Sequence, residues 1–309
     1  MNKLKILITG ANGMVGKNLC LHPSSESYSL ITPNRKELDL LNYFEIENFL
    51  FSHKPDFVIH CAGKVGGIQA NLSNQSEFLS SNIIMGINLI QSCKNNNIKK
   101  LINLASSCMY PKDMQNPLNE NQLLKGMLEP TNEGYALAKL SITKLCSYVS
   151  SESNDFYYKT LVPCNIYGHF DKFDEENSHM VAAVIDKFYK AKNQKLDSVE
   201  IWGEGNARRE FMYSSDLADC IWECVKNFQN MPDIMNVGMG KDYSIKEYYN
   251  LIKEIVGYNG NIINDLSKPV GMKQKLVDIT QLENFGWKRK VSLYEGLSKT
   301  YDFYKKNII

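Results

Sequence analysis

A short apolar run, Leu4-Lys5-Ile6-Leu7-Ile8-Thr9, feeds directly into Gly10-Ala11-Asn12-Gly13-Met14-Val15-Gly16, after which Lys17 to Leu21 reads as helix. A strand that breaks at glycines and restarts as a helix offers free backbone N–H groups and the positive end of a helix dipole to a phosphate. In that reading Gly10 makes the tight turn, Gly13 lets the backbone approach a pyrophosphate, and Gly16 allows close helix–strand packing. Asn12, Met14 and Val15 ride on the same turn and become cofactor contacts. The spacing is GxxGxxG, a variant of the dinucleotide fingerprint. Glycines alone often mark only a turn; the place directly behind a strand near the N-terminus favours the nucleotide.

The chain beyond this turn alternates in the same sense. Tyr28 to Pro33 reads as a second strand, Asp56 to Gly63 as a third running into the small residues Ala62 and Gly63, and Lys99 to Ala105 as a fourth. Tyr157 to Pro163 reads as a fifth, followed by Cys164 to Gly168, and helices are expected between, over Asn42–Phe51 and Gln75–Asn95. Strands alternating with helices predict an α/β fold, a Rossmann-type doubly wound parallel sheet. Ligands of such sheets bind beyond the carboxyl ends of the strands, where Ala62, Gly63, Ser106, Pro163 and Asn165 fall. The second strand lacks the acidic residue that would bind a ribose 2′-hydroxyl; Asn34-Arg35-Lys36 stands there instead. Arg35 therefore points to NADP, with a solvated basic turn as the plain alternative. Asp39 is read either as a cap over adenine or as a helix N-cap.

Composition removes several classes of function. A formal net charge of +1 gives no basic field for nucleic acid, and no apolar run reaches the ~18–20 residues of a membrane span. The eight cysteines form no CxxC pair and have no partnering histidine cluster, so no metal site is expected. With no signal-peptide pattern, reduced thiols and a cytoplasmic location are expected.

The stretch Ala105 to Leu140 carries the chemistry. Tyr135 and Lys139 lie one helical turn apart on one face, where a lysine is expected to lower the tyrosine's pKa and make it a proton donor. Ser106 and Cys108, two apart, would share a face on extended chain. Beyond Gly168 loops lengthen and polar residues crowd in. A helix is expected from Asn177-Ser178-His179 to about Ala191, a strand and turn over Val199–Gly205, and a helical core pattern over Met212–Phe228. The division expected is a cofactor domain over 1–168, rejoined by 212–235, and a smaller substrate domain over 169–211 and 236–309.

With these residues assembled the chain resembles the extended short-chain dehydrogenases/reductases, and within them the GDP-L-fucose synthase family. The resemblance rests on Gly10 to Gly16, Lys64-Val65-Gly66-Gly67-Ile68, Ser106-Ser107-Cys108, Leu128 to Glu133, Tyr135 with Lys139, Asn177-Ser178-His179, Trp202-Gly203, Arg209-Glu210-Phe211, Ser267-Lys268-Pro269 and Leu282 to Trp287. It implies epimerisation of a GDP-4-keto-6-deoxymannose at C3 and C5, then reduction of the C4 ketone by NADPH. Ser106 would hydrogen-bond the C4 oxygen, Tyr135 protonate it, and Lys139 bind the nicotinamide ribose. Cys108 falls on the epimerisation base and His179 on the acid. Arg209 and Lys187 fall on contacts to the diphosphate, Lys275 on the nucleotide with a solvated lysine as the alternative, and Trp202 on a substrate contact; Ser107 and Asn165 fall on substrate contacts or the layer behind them, with a purely structural role as the alternative. A homodimer through the Gln75–Asn95 and Tyr135–Ser150 helices is also implied.

Several positions depart from that pattern. Gly134 replaces the proline before the tyrosine, which is expected to loosen the turn. Asn12 replaces an arginine, His169-Phe170 a proline-led pair, and Lys187 an arginine, keeping the charge without the fork. Val270 and Gln274 replace an acid and an arginine in the Lys268–Lys275 loop. These changes spare the reducing groups and touch substrate recognition. A rival reading is therefore C4 reduction of another GDP-4-keto-sugar, such as a 4-keto-heptose, with Cys108 and His179 idle. A remote one is a non-catalytic NADP sensor.

Overall fold

The computed structural model describes residues 3–173, 178–268 and 271–308. Its strands are β1 Lys5–Thr9, β2 Ser29–Ile31, β3 Phe57–His60, β4 Lys100–Leu104, β5 Tyr157–Pro163, β6 Asn165–Tyr167, β7 Ser198–Trp202, β8 Arg208–Arg209, β9 Phe211–Tyr213, β10 Ile234–Val237, β11 Tyr243–Ser244, β12 Asn261–Asp265 and β13 Gln274–Lys275. Its α-helices are α1 Met14–Leu21, α2 Tyr43–His53, α3 Ile68–Ser73, α4 Gln75–Asn95, α5 Glu133–Glu152, α6 Met180–Asn193, α7 Ser214–Lys226, α8 Ile245–Val256, α9 Thr280–Phe285 and α10 Leu293–Asn307.

One sheet in the order β10-β5-β4-β3-β1-β2, every pair parallel, organises the chain. Burial on both faces explains the nearly unbroken apolar runs of β1 and β3. Successive residues alternate between the faces. Ile6, Ile8, Phe57, Ile59 and Ile102 pack with Leu217, Ile221 and Trp222 of α7 on one side. Leu7, Val58 and Leu101 pack with Ile46, Leu50, Leu89 and Ile142 of α2, α4 and α5 on the other. The strand order reverses between β1 and β3, which opens the crevice that such sheets use for ligands.

A second core gathers Val181, Ile185 and Phe188 of α6, Val199 and Ile201 of β7, Tyr248 and Ile252 of α8, and Leu297, Tyr301 and Tyr304 of α10. Helix α8 is delimited by a capping box between Ser244 and Glu247 and by Gly257 at φ +70°. Small strand pairs link this unit to the sheet: β6 runs parallel to β9, and β8 lies between β11 and β13.

Three sequence expectations need correction. Asn236 and Val237, expected in the smaller domain, complete β10, where Val237 pairs with Pro163, and Leu282 and Trp287 belong to the sheet's own core. The helical pattern expected from Met212 begins at Ser214, because Phe211–Tyr213 is spent pairing with β6. Helix α1 starts at Met14 rather than Lys17.

Candidate active site

The glycine turn builds the floor of the crevice. Gly10 sits at φ +71°, and a Cβ there would come within 2.7 Å of the Ala62 backbone, so both conformation and space require glycine. Gly13 N–H closes the turn on Gly10 O at 3.0 Å, and α1 begins at the next residue without a side-chain cap or an acid in its first turn. Its leading N–H groups are thus left for an anion. A Cβ on Gly16 would overlap Gly10 O and Ala11, so Gly16 seats the helix against the turn. This cradle fits a dinucleotide pyrophosphate.

The adenosine end is formed after β2. Arg35 is largely exposed, with Nε 4.0 Å from Asp39 Oδ1. Asp39 accepts from Leu41 N, while Asn42 caps α2 through Phe44 N and Glu45 N. Asp39 is therefore not the helix cap.

The chemical wall comes from β4 and α5. Lys139 is buried and donates to Leu104 O at 2.8 Å, with its Nζ 5.8 Å from the Tyr135 ring centroid. Burial holds the Lys139 ammonium below its ordinary pKa and pushes the Tyr135 phenol well above its own, with Cys108 adding to the rise. The expected lowering of Tyr135 by Lys139 is not met, because the ammonium is committed to a carbonyl and desolvation outweighs it. Tyr135 is a neutral hydroxyl donor in this geometry. Nor do Ser106 and Cys108 lie on extended chain: Ser107–Met109 is a 3₁₀ turn whose cap, Ser106 Oγ, accepts from Cys108 N at 3.4 Å. Cys108 consequently turns inward against Leu128, Ala136 and Tyr135. Burial raises its thiol pKa, opposed by Lys275, a hydrogen bond with Ser106, and Lys139.

Gly134 does not loosen its turn. Its N–H donates to Gln75 Oε1 at 2.7 Å, Gln75 Nε2 donates to Pro130 O at 2.7 Å, and a Cβ on Gly134 would strike the Gln75 backbone carbonyl. Glycine here locks the start of α5 to the start of α4. Asn82 of α4 holds Lys64 through both backbone groups, at 2.9 and 3.0 Å, and so fixes the Gly63–Lys64 backbone beside Lys139.

The opposite wall is less unified. His179 stands at the N-cap position of α6 without a side-chain capping bond, its Nδ1 3.6 Å from the buried Asp171 carboxylate. Arg209 and Lys275 are register partners on β8 and β13, and burial pulls both below their ordinary pKa values while Glu129 works against it. Glu210, fully buried, receives Met239, Gly240 and Val277 N–H groups and fastens β13 to the end of β10. Asn236 accepts from Tyr110 OH at 2.6 Å and donates to Leu118 O and Asp278 O, tying the Cys108 turn to the same strand. Gln274 donates to Asp242, which also binds Arg208.

The resulting cleft, about 690 Å³, is lined by the glycine turn including Asn12, Met14 and Val15, then by Arg35, Asp39, Ala62 and Gly63, and by Ser106, Tyr135, Lys139, Pro163, Asn165 and His179. Ser107, Cys108, Lys187, Trp202, Arg209 and Lys275 are not in that lining. Lys187 donates instead to Glu200 O at 3.2 Å, and Trp202 lies 5.9 Å under Lys268 Nζ. Asn177, Pro269 and Val270 lie outside the described residues. Among those described, no cluster of His, Cys, Asp or Glu could hold a metal ion, and no helix is long and apolar enough to cross a membrane. Asp171, Asn82 and Gln75 were given no site role from the sequence, and Glu210 entered it only inside the Arg209-Glu210-Phe211 match. Asn82, Gln75 and Glu210 act through partners distant in sequence, whereas Asp171 meets His179 across a short loop.

Known proteins resemble this chain along nearly its whole length. The sequence profile of the NAD dependent epimerase/dehydratase family matches residues 6–238. The chain is 56% identical over 301 residues to a GDP-L-colitose synthase of Yersinia pseudotuberculosis, covering 97% of this chain and 98% of that protein. It is 45% identical over 300 residues to a GDP-L-fucose synthase of Azorhizobium caulinodans, covering 97% and 96%. The crystal structure of a GDP-6-OMe-4-keto-L-xylo-heptose reductase from C. jejuni superposes with a TM-score of 0.92 at 31% identity, covering 99% and 98%.

Proposed function

The chain belongs to the NAD dependent epimerase/dehydratase family and within it to the GDP-L-fucose synthase group, NADP-dependent oxidoreductases acting on a GDP-4-keto-sugar, and on that premise we propose that its own substrate is a GDP-4-keto-6-deoxyhexose, inverted at C5 and reduced at C4. The observation that carries the reduction is the convergence of Ser106, Tyr135 and Lys139 on one cleft with the glycine turn. The 56% identity to a GDP-L-colitose synthase favours a deoxyhexose over a heptose. Colitose is a 3,6-dideoxy-sugar without a stereocentre at C3, so a substrate of that kind asks for inversion at C5 alone, whereas a fucose-type substrate asks for C3 as well.

Bound NADPH supplies a hydride equivalent to C4. Ser106 and Tyr135 hydrogen-bond the C4 oxygen, and the neutral phenol gives up its proton as negative charge develops there. Lys139 holds the nicotinamide ribose and supplies positive charge beside the emerging phenolate. Gly10 to Gly16 with Ala62, Gly63, Pro163 and Asn165 seats the cofactor, and Arg35 meets its 2′-phosphate. Arg209 and Lys275, adjacent cations on β8 and β13, would meet the nucleotide diphosphate, and Ser107, Asn165, Trp202 and Lys187 are assigned as further substrate contacts on the family resemblance alone. Cys108 acts as base and His179 as acid in the inversion.

The sheet unit is proposed to carry the cofactor and the α6–α8–α10 unit the sugar nucleotide. Ile84 and Ile87 of α4 and Leu137 of α5 are exposed apolar residues on helices packed together, which supports a second copy of this chain docking there as a homodimer. Free cysteines throughout the described chain support a reducing, cytoplasmic setting. The decisive measurement is turnover of each candidate GDP-4-keto-sugar by wild type and by Tyr135→Phe, with products identified by NMR. Tyr135→Phe should lose about a hundred-fold or more in reduction while still binding NADPH. Undiminished turnover would remove Tyr135 from the chemistry, and reduction of the 4-keto-heptose alone would replace the deoxyhexose.

A further inference from the structure

Behind His179 stands a carboxylate that nothing in the reduction uses. Asp171 leaves the solvent almost entirely, its side chain 4% exposed, and places Oδ1 3.6 Å from His179 Nδ1. That oxygen also accepts from Lys172 N at 2.9 Å, while Oδ2 is buried without a hydrogen-bond partner. An unpartnered buried carboxylate oxygen is expensive and calls for a donor that arrives with function. The two residues are brought together locally. Asp171 N donates to Gly168 O at 3.3 Å, Ser178 Oγ donates to Lys172 O at 2.7 Å, and His179 then begins α6. His179 itself is 39% exposed at its side chain and forms part of the cleft wall. Asp171 is absent from that lining, so the carboxylate meets the ring from outside the cleft wall.

That orientation has a chemical consequence. A carboxylate on Nδ1 fixes the ring and leaves Nε2 for the cleft. A separation of 3.6 Å exceeds a hydrogen bond, but such contacts commonly shorten when substrate closes the site. We propose that Asp171 is the positioning residue for His179, holding Nδ1–H so that Nε2–H delivers the proton to C5 during inversion. This rests on the reading of His179 as the acid.

The step balances. In its thiolate form, which burial disfavours and the charges of Lys275 and Lys139 favour, Cys108 takes the C5 proton, so a C–H bond breaks, an S–H bond forms, and the electron pair passes to the C4 oxygen as an enolate. The Nε2–H bond then breaks and a new C5–H bond forms on the opposite face as the ketone is restored. The imidazolium becomes neutral imidazole, and exchange with solvent reprotonates it and removes the thiol proton. No oxidant or reductant is consumed.

The test separates the two half-reactions. Wild type, Asp171→Asn, Asp171→Glu and His179→Gln are incubated without NADPH in D2O with GDP-4-keto-6-deoxymannose, and inversion at C5 is followed by NMR. Reduction of the already inverted 4-keto-sugar is followed separately through NADPH consumption. Asp171→Asn should slow inversion at least about ten-fold, with kcat and KM for reduction within about two-fold of wild type, and Asp171→Glu should recover part of the loss. Inversion by Asp171→Asn at the wild-type rate, with His179→Gln impaired, would overturn the proposal and leave the acid assignment standing. Equal losses in both half-reactions would mark Asp171 as structural and overturn it too. If His179→Gln also inverts like wild type, or wild type itself does not invert, the acid assignment falls and the proposal with it.

Discussion

Gly134→Ala offers a perturbation whose sign depends on which of two effects wins. In an ordinary helix the change would stabilise by about 1 kcal/mol, because alanine loses less conformational freedom. Here the new methyl would run into the carbonyl of Gln75, the first residue of α4, which is backbone and has no rotamer to escape into. Overpacking of that kind costs about 1–3 kcal/mol. Relief by separation of the two helix starts would also sacrifice the 2.7 Å bond from Gly134 N to Gln75 Oε1, at about 0.5–1.5 kcal/mol. The costs exceed the gain, so Gly134→Ala should be destabilised by about 1–3 kcal/mol. The assay is urea unfolding followed by circular dichroism, read as a lower midpoint at unchanged slope. Because Tyr135 is the next residue and Lys139 shares its helix, kcat for reduction should fall by at least about ten-fold through misplacement of the phenol. Gly134→Pro, which restores the residue expected from the family resemblance, lacks the N–H and meets the same carbonyl, so it should be no better. Gln75→Ala removes only the amide bonds and should cost less than either. A Gly134→Ala protein with a midpoint equal to or above wild type would show that the helix starts do not abut in this way.

Two further expectations concern the same crevice. Burial and the nearby Lys139 charge lower the pKa of His60, which meets Thr9 Oγ1 at 2.8 Å, to about 3. The unfolded chain thus binds a proton between about pH 6.5 and 3 that the native chain refuses, so stability falls as pH drops through that window, by about 3–5 kcal/mol in all, and His60→Gln should show a shallower acid loss in unfolding titrations. A parallel acid dependence in the two proteins would refute this account of His60. Arg35→Ala should raise KM for NADPH by about ten- to a hundred-fold, the worth of a charge-assisted phosphate contact, and leave KM for NADH unchanged; equal effects on both would place Arg35 away from the 2′-phosphate.

How much of this was legible depended on the range over which each residue acts. The glycine turn, the strands flanking it and the Tyr135/Lys139 pair were readable because backbone geometry and helical periodicity are local properties. Even the length of α4 followed from its pattern. The conformation of Ser106–Cys108 was misread because extended chain and a 3₁₀ turn have no distinct two-residue signature; the choice is made by the capping bond and by Leu128 and Ala136. Gly134 was misread for a related reason. Its glycine looked like lost rigidity until the carbonyl of a residue fifty-nine positions earlier was found in the space where a side chain would stand.

The sequence by itself determined the sheet, the glycine turn behind its first strand and the placing of Tyr135 and Lys139 on one helical face, since each is written in neighbouring residues or in a repeat of two or three and a half. Only the tertiary structure decided the electrostatics of the site. It pushed the Tyr135 phenol above its ordinary pKa, committed Lys139 to Leu104 O, set Lys275 against Cys108, and placed Asp171 beside His179. Charge interactions and desolvation depend on distance and exposure in space, which no spacing along the chain encodes.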